Sequence, residues 1–186
     1  MRHVKGVLFA DYVRTIRGHK EADWGAHLRP EDQAYLGQQI SPTDWYPMDS
    51  YDRMGGAILH LIARDDLQAV RMWGRLLARP LWEAAPELVT AGDPAGTLRR
   101  FQGLRANYFD FDALTVGHIA DESGEITIGY QMGPITEEGA SFQTMGFFEG
   151  LLELSGATGI AASFKQCSWV GDASTVLELH WRNPPR

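Results

Sequence analysis

One cysteine, Cys167, stands alone among 186 residues. That excludes an internal disulfide and any zinc or iron–sulfur site built on several cysteines. A lone thiol before SWVGD reads as a small buried hydrophobe rather than a nucleophile. Long apolar runs are missing too. In the opening MRHVKGVLFADYV, only Val7 to Ala10 are apolar before Asp11 interrupts, too few for a signal-peptide core or a membrane span. A cytoplasmic chain without membrane insertion is expected. Positive charge is also scarce, 17 Lys and Arg against 24 Asp and Glu, for a net charge of −7. Nucleic acid would be repelled at long range. The one dense basic cluster, Arg99, Arg100 and Arg105, reads as a solvated helix face, so no nucleic-acid partner is expected.

Catalytic motifs are absent as well. A nucleophilic site needs a serine or cysteine converging with a histidine and a carboxylate. The six histidines (His3, His19, His27, His60, His118 and His180) are scattered singly. GDPAG lacks the lysine and the spacing of a phosphate loop. Asp65-Asp66 reads as a capping pair at a helix junction. Glu137-Glu138 reads as first-turn acids, where the helix dipole favours negative charge. The expectation is a non-enzymatic protein with no metal site.

The composition that is present, 44% hydrophobic and 22% charged, suits a globular chain. Its length most simply makes one domain, residues 1–186, long enough to bury a sizeable core. Residues 1–109 read as mainly helical. FADYVRTIRG brings Phe9, Tyr12, Val13 and Ile16 onto one face, with Gly18 as a stop. RPEDQAYL opens with a helix-starting proline followed by acids. A longer helix is expected from Asp49, and another over DDLQAVRMWGRLLAR, with Pro80 starting or kinking a further one. Asp93 and Pro94 cap a helix whose seam is Leu98, Phe101 and Leu104. Residues 110–186 read as a β-β-α-β-β unit. DESG joins two strands, the second alternating Ile126, Ile128, Tyr130 and Met132 on one face. A helix over EEGASFQTMGFFEGLLELSG follows, burying Phe142, Met145, Phe148, Leu151 and Leu152. VGDA then turns the last hairpin, whose inner face is Thr175, Leu177, Leu179 and Trp181. The class is α+β with an antiparallel sheet.

Aromatic residues concentrate in the helical half. A core with a helix–sheet interface accounts for them, and so does an apolar cavity or an exposed docking patch. The candidates for lining a cavity are Trp45, Tyr51, Phe101, Tyr108, Tyr130 and Met132, and the occupant would be an apolar small molecule. RMWGRLLARPLW is the densest stretch, and Trp73, Arg75 and Trp82 are the candidates for a homodimer or protein-partner interface.

The order and texture of the chain resemble a superfamily. VKGVLFADYV, Trp24, WYPMDSYDRMGGAIL and the tail with GFFEGLLELSGA and VLELHW are similar to haem–nitric-oxide-binding domains. That fold neighbourhood includes four-vinyl-reductase and TRAPP-like domains, and the likeness is nearest to bacterial paralogues without the haem motif. The resemblance implies a strand carrying tyrosine, serine and arginine at alternate positions to clamp a haem. Here those positions are Tyr130, Met132 and Pro134. It also implies a proximal histidine near RRFQGLRANYF, where there is none. The several cysteines of the four-vinyl-reductase type are reduced to Cys167. The scaffold without the clamp, and so without a cofactor, is the expectation. The alternative is a haem or tetrapyrrole gas sensor with a non-standard axial ligand, for which His118 is the candidate.

Overall fold

The computed structural model describes residues 1–185. Strand β1 (His3–Lys5) leads into helix α1 (Gly6–Gly18), where Phe9, Tyr12, Val13 and Ile16 are all buried. Helix α2 (Pro30–Leu36) starts at its proline, which fixes a helical φ without losing a bonded N–H. Strand β2 (Trp45–Pro47) returns antiparallel to β1 and runs directly into α3 (Met48–Leu61). A buried ion pair joins α2 to α3. The Arg53 guanidinium donates to both oxygens of Asp32 at 2.6 and 2.7 Å, and Asp32 has no exposed surface.

Helix α4 (Leu67–Ala84) is capped by Asp66, whose carboxylate accepts the N–H groups of Gln68 and Ala69. Pro80 neither starts nor ends a helix, because α4 continues through it. The proline frees the carbonyl of Leu76 from its helical partner. Both residues lie on the exposed side of α4. Helix α5 (Pro94–Leu104) follows its Asp93 cap, and Leu98 and Phe101 are fully buried.

The second part of the chain is an antiparallel sheet in the order β3 (Leu114–Ile119), β4 (Ser123–Ile128), β6 (Thr175–Arg182), β5 (Thr158–Gln166). Its inner face holds Leu114, Val116, Ile126, Ile128, Leu177 and Leu179, and the outer face carries Glu125, Glu178 and Lys165. Strand β4 ends at Ile128, short of the expected run to Met132. Gln131 takes a positive φ of 57°, which breaks the period-2 alternation and turns residues 129–133 into a strap. The last connection, from Cys167 to Ser174, is longer than a VGDA turn and contains a one-turn helix at Ser168–Val170.

Helix α6 (Pro134–Leu154) is buried on most of its sides, between α4, α3, α5 and the sheet. Its contact with α4 is made backbone to backbone. A Cβ on Gly146 would lie 1.8 Å from the Arg71 carbonyl oxygen, and one on Gly74 would lie 1.9 Å from that of Gln143. No larger residue permits this approach. Arg71–Glu149 and Arg75–Glu153 pairs brace the seam. Phe142 is only half-buried and packs edge-on against Phe164 of β5. The helix begins at Pro134, so Glu137 lies inside its first turn rather than opening it.

Candidate functional site

The site is a cavity of about 60 Å³ between α1, α3, α4, α5, α6 and the strap after β4. Its walls follow from the same amphipathic spacing that builds the core. Helix α1 contributes Leu8 and Tyr12, α3 Tyr51, α4 Leu77 and Leu81, and α5 Phe101. Tyr108, Phe109 and Leu114 come from the passage into β3, and Tyr130 and Met132 from the strap. Helix α6 closes the cavity with Ala140, Gln143, Thr144 and Phe147. The cavity thus brings together Tyr51, Phe101, Tyr108, Tyr130 and Met132 among the six candidates. Trp45 is elsewhere. Its ring is 41% exposed on β2, with the Lys5 ammonium 4.3 Å from its centroid. Two-residue periodicity turns its neighbour Tyr46 inward to stack on Phe9 and leaves Trp45 outside.

The polar groups of the cavity bond to one another. The Tyr12 hydroxyl donates to Gln143 Oε1 at 2.7 Å, and the Tyr130 hydroxyl lies 2.6 Å from Thr144 Oγ1. The Tyr12 and Tyr51 rings stack with centroids 4.2 Å apart. Burial raises the pKa of Tyr12, Tyr51 and Tyr130 well above the ordinary phenol value. Burial, with Glu87 nearby, pushes Tyr108 up to about 12. All four hydroxyls are therefore neutral donors at physiological pH.

Glu137 holds the strap. Its buried carboxylate accepts the Tyr130 N–H at 3.1 Å and the Met132 N–H at 2.8 Å. Arg2 donates to the carbonyls of Tyr130 and Gln131 from the other side. Sequence reasoning placed Glu137 at the right helix end but missed this role, along with Tyr12, Gln143 and Thr144 of the cavity wall. No local pattern marks this role, because it depends on a strap that turns where Gln131 takes a positive φ.

The interface candidates divide. Trp73 and Trp82 are half-buried, and Arg75 is tied to Glu153. The outward apolar residues of α4 are instead Met72 and Leu76, 51% and 67% exposed. His118 faces solvent, not the side of Val116. An irregularity in pairing between Val116 and Ile119 rotates it outward, near Glu125. Cys167 is half-buried, and burial with Asp172 and Glu138 raises its pKa, which favours the thiol over the nucleophilic thiolate.

No family model matches the chain, and neither does any curated protein. Solved structures do. An S. oneidensis H-NOX protein in the Fe(II)NO ligation state superposes with a TM-score of 0.64 at 12% identity, over 96% of this chain and 99% of the other. The chain has the H-NOX fold. A mutant of the same S. oneidensis protein in the Fe(II) state gives 0.65 at 13% identity, with 98% of each chain covered. A mutant T. tengcongensis H-NOX gives 0.61 at 15% identity, over 98% of this chain and all of the other.

Haem is the group this fold implies, and the residues present do not fit it. Among the described residues no histidine lines the cavity. A phenol could replace one only by losing its proton, which the burial of Tyr12, Tyr51, Tyr108 and Tyr130 opposes. Met132 and Pro134 offer no charge to a propionate, and Glu137 places a carboxylate at the strap where the clamp would draw one in. The volume is also well below the roughly 300 Å³ at which pockets for drug-sized ligands begin, and a tetrapyrrole is larger than most of those. Among the described residues no three His, Cys, Asp or Glu side chains group as a metal site, and no helix is long and apolar enough to cross a membrane.

Proposed function

We propose that the chain is a single, non-enzymatic domain of residues 1–186 that binds a small molecule in the aromatic cavity, on an H-NOX scaffold without the haem clamp. The carrying observation is the combination of a retained cavity with a substituted clamp. The helices and sheet still leave space between Tyr51, Phe101, Tyr108 and Tyr130, while Glu137 satisfies the strap internally. A scaffold that keeps its space but closes its clamp suits a ligand smaller than a tetrapyrrole. Its output would be regulatory, passed to a partner protein in the cytoplasm.

The exposed Met72 and Leu76 favour a second reading, in which the outward face of α4 pairs two copies of the chain or docks another protein. Trp73, Arg75 and Trp82 would then flank that contact rather than form its centre. Native mass spectrometry of the purified full chain tests both readings. A small adduct that Ala140→Phe abolishes supports the pocket, and a bare mass in every preparation counts against it. A dimer that Leu76→Glu converts to a folded monomer supports the α4 face, whereas a monomer for both forms removes it.

A further inference from the structure

Four tyrosines and three phenylalanines line the cavity, and no lysine, arginine or histidine is among its described lining residues. Around this wall the carboxylates outnumber the cations. Asp11 and Asp52 act on the Tyr12 hydroxyl, Asp11 on Tyr51, Glu137 on Tyr130 and Glu87 on Tyr108. One of these acids is incompletely paired. Asp11 Oδ2 is buried with no hydrogen-bond partner, and the nearest cation to its carboxylate, Arg14, stands 3.6 Å from the other oxygen. Two other cations stand near: Arg2 is spent on the strap carbonyls, and Arg53, which acts on Asp52, is forked onto Asp32.

Each feature bears on the charge of an occupant. A half-buried carboxylate with one oxygen unpaired raises the cost of an anion brought beside it and lowers that of a cation. Aromatic faces attract cations through the ring quadrupole, more strongly where water is excluded. The hydroxyl and amide oxygens that bond to one another keep lone pairs that can also face a positive centre. An anionic ligand finds hydroxyl donors on this wall but no cation, and the carboxylates around it oppose its charge.

We propose that the cavity takes a small organic monocation of the alkylammonium class, held by the aromatic wall and by the field of the surrounding carboxylates. This rests on the ligand-binding reading above and adds the ligand's charge to it. The size follows from the space. An engineered cavity of about 150 Å³ accepts benzene, so about 60 Å³ admits an ion of about five heavy atoms only as the half-buried Leu77 and Met132 side chains give way.

The experiment compares three probes on the full chain by calorimetry and thermal shift, at constant ionic strength. They are tetramethylammonium, its neutral isostere tert-butanol, and the propionate anion. Tetramethylammonium is expected to bind one to one and raise the melting temperature, with tert-butanol about tenfold weaker and propionate without effect. Asp11→Asn should weaken tetramethylammonium by about threefold or more while leaving tert-butanol unchanged. Asp52→Asn repeats the test if Asp11→Asn does not fold. Equal binding of the cation and tert-butanol overturns the charge selection but keeps a ligand pocket. Binding of none of the three, to a chain whose fold is intact, overturns this proposal and contradicts the pocket reading beneath it.

Discussion

The Glu137 carboxylate accepts the N–H groups of both Tyr130 and Met132, so its removal strands two backbone donors at once. A buried donor without a partner costs about 1–3 kcal/mol. Glu137→Ala should therefore destabilise the chain by about 2–4 kcal/mol, and Glu137→Gln, which keeps one acceptor oxygen, by about half as much. Urea unfolding of the three forms checks this, and equal stability would show that the strap is held by Arg2 alone. Asp32 sets the acid edge of stability. Burial alone would raise its pKa, but the Arg53 fork, Ser50 and the Arg29 N–H together hold it below 3.8. Its stabilisation is complete above the unfolded value and is lost as pH falls through the lower folded one. The wild type should lose stability as pH falls below about 4, and Asp32→Asn should flatten that slope while costing about 3 kcal/mol at pH 7. Unfolding midpoints measured from pH 2 to pH 7 would show both effects. Asp32 could be read from sequence as a first-turn acid, and Glu137 likewise. Their burial could not, because it depends on Arg53 from another helix and on a strap that curls only where Gln131 takes positive φ.

At the scale of elements, the α4–α6 seam is the most constrained part of the molecule. Gly146→Ala would drive a methyl group into the Arg71 carbonyl, and a cost of about 3 kcal/mol is expected for such overpacking. Gly103, in α5, has nothing within 4 Å of its would-be Cβ. Gly103→Ala should stabilise by about 0.4–1 kcal/mol, because alanine restricts the unfolded chain more than glycine does. Thermal melts of the two variants should thus move in opposite directions, and a shared direction would contradict the tight seam. Helix existence was readable because one-faced periodicity survives in α1, α3, α4 and α5. Helix α6 was harder, since burial against helices and sheet together blurs its polar face. Pro80 does not begin a new helix. A proline costs a helix one N–H···O bond and crowds the carbonyl four residues back, and α4 absorbs both on its exposed side. The end of β4 was misplaced because alternation of Ile126, Ile128, Tyr130 and Met132 persists in sequence after the strand has stopped.

For the whole molecule, the order of elements and the β-β-α-β-β tail were enough to indicate the fold that the solved H-NOX structures share. The cavity was partly readable, since large aromatics at the α3, α5 and strap positions converge once the helices pack. Trp45 failed because exposure on a three-residue strand turns on which alternate residue faces α1. The central claim is that this scaffold keeps a cavity that no longer accepts haem. Titrating the purified chain with haemin, and following absorbance in the Soret region, tests it most directly. The expected result is a spectrum of free haemin at every ratio, with no break at one equivalent. A sharp Soret band that saturates at one haem per chain, and disappears when Tyr108 or Tyr130 is changed to phenylalanine, would contradict the claim.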